Sequence, residues 1–230
     1  LYMEQVPADP KAVIRAGYLL TFGAPKLVFF LPQTGYFIGQ WEVLDIGLDR
    51  DFMANLEVDY EFYGARLVRS FYRPRERFSH KGTYGHVLVL GGGHGKIGAV
   101  ALSAQAALLS GAGMVTACVP KCGYIPLQSQ VPEVMVWTTS GELEHVEFPD
   151  QTSGYTSGAG MGLGTSHATS EAFLHWLGRQ KAPVLLDADA LNILSASPES
   201  LGAIPPDSIL TPHPGELRRL VGDWKDDFEK

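Results

Sequence analysis

Cysteine is scarce: Cys118 and Cys122 are the two in 230 residues. So few thiols exclude a disulfide-stapled secreted domain, and two cysteines without a nearby histidine pair make a poor zinc site, so both read as reduced, partly buried thiols. Long apolar runs are missing too. None reaches the roughly 18 residues that cross a bilayer, and residues 1–26 lack the charged, then apolar, then small-residue order of a secretory leader. Positive charge is in deficit, with 18 Lys and Arg against 25 Asp and Glu and a formal charge of −7. That balance gives no attraction for a phosphate backbone or an anionic lipid surface. The expectation is a cytoplasmic globular protein with no nucleic-acid or membrane partner. Internal repeats are absent, and low complexity is confined to glycine clusters.

What is present is a hydrophobic content of 45% and 26 glycines, enough chain and apolar surface for a real core in one domain or two. An apolar run at Lys26–Phe30 follows the turn-like Phe22-Gly23-Ala24-Pro25, and Trp41–Ile46 is closed by Gly47. Both read as strands. From Asp49 to Ser79 aromatic residues are scattered among arginines and acids without a period, which places a domain junction near Gly47–Asp51. The assignment is therefore residues 1–50 and residues 51–230. In the second part strands at His86–Leu90, Met114–Val119, Glu133–Thr138, Val184–Leu186 and Ser208–Leu210 alternate with helices ending at Ser110 and spanning His167–Leu177, Ala190–Leu194 and Pro214–Val221. Such alternation predicts an α/β fold with a mainly parallel sheet.

Gly93, Gly95 and Gly98 satisfy GxGxxG between a strand and a helix, where a helix N-terminus could hold a pyrophosphate. Two familiar loops fail here. A dinucleotide site wants an acid about 20 residues on, where this chain reads Cys118-Val119-Pro120-Lys121; a P-loop wants Ser or Thr after Lys96, which is followed by Ile97. A bare βα turn whose glycines serve backbone geometry remains an open reading. Gly158-Ala159-Gly160-Met161-Gly162-Leu163-Gly164 forms a second cluster before Ser166, a good N-cap, and lets backbone amides approach a ligand.

Pro183–Leu186 runs into Asp187-Ala188-Asp189-Ala190-Leu191-Asn192. The carboxyl edge of a parallel sheet is where ligands bind, which makes Asp187 at the strand tip the functional candidate and Asp189 a helix cap. Thr211-Pro212-His213-Pro214-Gly215-Glu216 also follows a strand, with His213 fixed between prolines. Alone, that hexapeptide reads as a capping box of His213 and Glu216; its place on the same sheet edge as Asp187 turns the reading toward function.

Taken in order, Lys81–Gly92, Gly98-Ala99, Ser110–Thr116, Gly160–Gly164, Asp187–Asn192 and Thr211–Glu216 resemble the ribokinase-like C-terminal domain of the NAD(P)HX repair family, the YjeF family. Thr21–Lys26 and Asp45-Ile46-Gly47 resemble the end of the Rossmann-like epimerase domain that precedes it in bifunctional members. The resemblance implies a ribokinase-like sheet with helices on both faces in residues 51–230, after an epimerase tail in residues 1–50. There are departures. Met161 stands where the family's GPGLG motif has proline, and Gly93 and Lys96 stand where its first glycine loop has serine and an aromatic residue. The later GTGD motif, with the catalytic aspartate, has no counterpart before Lys230, so no catalytic residue is assigned and a segment of a longer protein is expected.

The implied reaction is dehydration of (S)-NAD(P)HX, in which ADP or ATP phosphorylates the ring hydroxyl and phosphate then leaves, by positioning and charge stabilisation. Implied cofactors are ADP or ATP and Mg2+, with K+ as a further candidate. The implied substrate contacts are Ala99, Gly160, Gly162, Gly164, Asp187, Asn192, His213, Pro214, Gly215 and Glu216, with Glu216 also a candidate metal ligand. A homo-oligomer acting on a small molecule is expected. The alternatives are a ribokinase-like kinase for a vitamin alcohol and a nucleotide-sensing or assembly module without turnover.

Overall fold

The computed structural model describes residues 5–150 and 152–230, so residues 1–4 of the leader and first-domain readings lie outside the described residues. Two compact units are present, Leu1–Arg75 with Asp223–Lys230, and Glu76–Gly222. The pattern change at Gly47–Asp51 falls within the first unit.

In the first unit β1 (Ala16–Phe22) pairs in parallel with β2 (Ile38–Leu44). Parallel neighbours need a crossover, and residues 23–37 supply it with a 3-10 turn at Leu27–Phe29 and the short α1 (Pro32–Gly35). The expected strand at Lys26–Phe30 is corrected here. Its apolar side chains pack as a turn, with Val28 buried and the Phe29 ring 5.6 Å from Trp41. Short helices α2 (Arg50–Ala54) and α3 (Ala65–Phe71) follow.

The second unit runs β3 (His86–Leu90), α4 (Ile97–Leu109), β4 (Met114–Val119), α5 (Tyr124–Gln130), β5 (Met135–Thr138), β6 (Thr156–Ala159), α6 (His167–Leu177), β7 (Val184–Leu186), α7 (Asp189–Ala196), β8 (Ile209–Leu210) and α8 (Pro214–Val221). Its six strands are all parallel, in the order β5-β4-β3-β6-β7-β8. Parallel sheets are covered on both faces, and β3 shows it: Leu88 and Leu90 enter one core with Phe173, Trp176 and Leu191, while Val87 and Val89 face the other with Val100, Ala104 and Leu127. Burying each such large side chain contributes about 1.5–3 kcal/mol. The helices α6 and α7 thus lie on one face, α4 and α5 on the other.

From β3 the chain builds outward to β4 and β5, then returns to β6 on β3's other side. Such a reversal opens a crevice at the carboxyl ends of the two central strands, the usual ligand position in open α/β sheets.

Candidate functional site

Because β3, β6, β7 and β8 are adjacent and parallel, the turns that follow them lie side by side on one sheet edge. These turns carry Gly91–Lys96, Gly160–Gly164, Asp187–Asp189 and Thr211–Glu216. The first two interlock through backbone bonds, from the Gly92 amide to the Met161 carbonyl at 3.0 Å and from the Gly93 amide to the Gly162 carbonyl at 2.7 Å. A Cβ on Gly91 would sit 2.4 Å from the Met161 carbonyl oxygen, and one on Gly160, at φ +119°, would sit 1.8 Å from that of Asp187. At these positions glycine is required by the approach of one chain segment to another.

Asp189 departs from its expected role. The N-cap of α7 is Ala188, at φ +49°, and Asp189 is the first helical residue. Its carboxylate instead accepts the Gly164 amide at 2.8 Å and the Lys96 ammonium at 3.1 Å on one oxygen, and the Asn192 side-chain amide at 3.3 Å on the other. Burial works against its ionised form, but these donors outweigh it and hold the carboxyl below the usual carboxylate range.

The candidates reach the edge in different ways. Ala99 lies half-buried in the first turn of α4, and a Cβ on Gly162 would come 3.2 Å from it. Asp187 is half-buried at the tip of β7. Asn192 links Asp189 to α8 by accepting from Arg219 at 2.7 Å. Pro214 is the first residue of α8, and Gly215 donates its amide to His213 Nδ1 at 3.0 Å. Since Nδ1 accepts, Nε2 carries the proton, and it lies 3.1 Å from the Glu216 carboxylate. The other Glu216 oxygen accepts the His213 backbone N–H at 2.9 Å. Both oxygens of buried Glu216 are thus engaged by His213.

A cavity of about 580 Å³ opens on the same edge, between the Gly93–Lys96 turn, residues 141–146, and Leu163–Thr169. That volume suits a small organic molecule. Of the expected contacts only Gly164 lines it. Its outer wall is stitched to the first glycine turn by the His94 amide to the Leu143 carbonyl at 2.8 Å and, behind it, by His145 Nε2 to the Gly91 carbonyl at 2.8 Å. His145 is fully buried, stacked on Phe148, and burial pushes its pKa down to about 4. Sequence reasoning missed His145, which stands in an aperiodic stretch. Both cysteines are free thiols; burial pushes Cys118 up to about 12.

The sheet order and its loaded carboxyl edge define an open, doubly wound α/β fold, and its likeness to solved structures makes the class ribokinase-like. A ribokinase-like superfamily protein from Enterococcus faecalis shares the fold, with a TM-score of 0.52 at 23% identity over 64% of this chain and 51% of that one. The chain belongs to the NAD(P)H-hydrate dehydratase family, whose model matches residues 87–229. It is 35% identical to the bifunctional NAD(P)H-hydrate repair enzyme Nnr of Moorella thermoacetica over 91% of this chain, and spans 41% of that relative. The ADP/ATP-dependent NAD(P)H-hydrate dehydratase of Bacillus subtilis, crystallised with ATP and Mg2+, superposes with a TM-score of 0.54 at 28% identity, covering 72% of this chain and 57% of that one.

Proposed function

We propose that this chain carries the first part of the dehydratase domain of a cytoplasmic nicotinamide-nucleotide repair enzyme in residues 51–230, after the end of an epimerase domain in residues 1–50. The observation that carries the reading is the line of motif-bearing turns along one sheet edge, in a chain whose family is defined by NAD(P)H-hydrate dehydration. Hydrated cofactor lies along that edge against Ala99, Gly160, Gly162, Gly164, Asp187, Asn192 and the Thr211–Glu216 turn with His213, Pro214 and Gly215. Hydroxide leaves a ring poorly at neutral pH. Phosphoryl transfer from ADP or ATP converts it to a phosphate that departs, and the dihydropyridine is restored.

Rigid turns suit this chemistry, because phosphoryl transfer depends on alignment more than on covalent participation by side chains. Mg2+ accompanies the nucleotide and neutralises its phosphate charge, with Glu216 its candidate ligand in this part of the chain. The protein functions as a homo-oligomer, a reading supported by apolar side chains exposed on α5 and β5, among them Ile125, Met135 and Trp137.

The test is to give the full-length protein (S)-NADHX or (S)-NADPHX with Mg2+ and either ADP or ATP, with and without K+. Return of the NADH or NADPH absorbance with release of orthophosphate is the expected result. A stable phosphorylated alcohol would instead identify a kinase, and no reaction with either nucleotide would remove the enzymatic reading.

A further inference from the structure

Residue 189 holds both ends of one turn. Its backbone N–H donates to the Gly160 carbonyl at 3.2 Å, and its carboxylate accepts the Gly164 amide at 2.8 Å. Between those points Gly160, Gly162 and Gly164 all have positive φ. Glycines carry no side chain with which to anchor themselves and lose the most conformational freedom on ordering, so such a turn keeps one shape only if its surroundings impose it. On the inner side the amides of Gly92 and Gly93 bind the carbonyls of Met161 and Gly162. Asp189 supplies the restraint on the other side.

The same carboxylate oxygen takes the Lys96 ammonium at 3.1 Å. Lys96 belongs to the β3–α4 turn and Asn192 to α7, so a carboxylate with 18% of its side chain exposed joins three segments that arrive from separate strands. Ala188, immediately before it, sits at φ +49°, a conformation unfavourable for a residue with a Cβ, and aims Asp189 back toward the glycine turn.

We infer that Asp189 is a positioning residue for the repair reaction: it clamps the Gly160–Gly164 turn into the shape that receives hydrated cofactor, and Lys96 orients its carboxylate. Asp189 itself touches no reacting atom. The inference rests on the repair reading for its kinetic consequence, whereas the clamp is observable without turnover.

Two readouts on the full-length protein test it. In Asp189→Ala the loss of a charged hydrogen bond should raise KM for (S)-NADHX by roughly 10- to 100-fold, with a much smaller change in kcat. Asp189→Asn keeps an oxygen for the Gly164 amide and should stay within about fivefold of wild type, since a neutral acceptor retains most of the bond. Hydrogen exchange at Gly164 should accelerate at least tenfold in Asp189→Ala and little in Asp189→Asn. Unchanged KM together with unchanged exchange, even with a lower melting temperature, would reduce Asp189 to a structural residue and overturn the clamp. If Asp189→Ala does not fold, Lys96→Ala replaces it, and unchanged KM and exchange there overturn the role of Lys96. Should the wild type fail to restore NADH with either nucleotide, the repair reading falls and exchange at Gly164 alone decides the clamp.

Discussion

Both ring nitrogens of His213 are taken up within its own chain, Nδ1 by the Gly215 amide and Nε2 by Glu216. Two properties, cap and substrate contact, therefore have to be separated by substitution. His213→Ala removes the cap and should lower stability by about 1 kcal/mol, read from denaturant midpoints. His213→Asn keeps a good N-cap without the imidazole, so its stability should hold to within about 0.5 kcal/mol while KM for hydrated cofactor rises; an unchanged KM removes His213 from the contacts. The capping box was legible as one option because its four residues are contiguous. Asp189 was not, since Gly164 and Lys96 are distant in sequence and a carboxylate at the start of a helix looks like a cap from local pattern alone. His145 gave no signal either, because its importance lies in one bond to the Gly91 carbonyl across the fold.

Elements were readable where punctuation and periodicity agreed. The bounds of α6 follow from Ser166 before it and Gly178 after it, and β7 is an apolar triplet between Pro183 and Asp187. Ser166 accepts the Thr169 amide at 3.3 Å, so Ser166→Ala should cost about 1 kcal/mol of stability and Ser166→Asp should recover most of it, as thermal unfolding would show. Lys26–Phe30 misled because four consecutive apolar residues fit a strand or a buried turn equally, and only the parallel pairing of β1 with β2 demands a crossover there. Helix α5 and strand β6 escaped notice for related reasons. Pro126 interrupts the helical pattern of the first, and the second, Thr-Ser-Gly-Ala, has no large apolar side chain.

At the scale of the whole molecule, His145 ties stability to pH. An unfolded chain protonates this imidazole as pH drops below its ordinary 6.5, whereas in the folded protein it stays neutral until about 4. The unfolded state then binds more protons, so this group's contribution to stability is complete above 6.5 and is lost as pH falls toward 4, by up to about 1.4 kcal/mol per pH unit. His145→Gln retains a donor for the Gly91 carbonyl and should flatten that part of the profile; parallel profiles for the two proteins across this window would show that another group sets it.

Strand order also dictates how the chain assembles as it is made. β3, β4 and β5 are neighbours joined by successive crossovers, so that half of the sheet forms from nearby chain. The central seam must wait, because Val87 faces Thr156 and the whole outer half intervenes. Until β6 emerges, the free edge of β3 is an unpaired template and the Leu88 and Leu90 face has no cover from α6 and α7. A nascent chain stalled before β6 therefore presents an open strand edge and an uncovered apolar face to its surroundings.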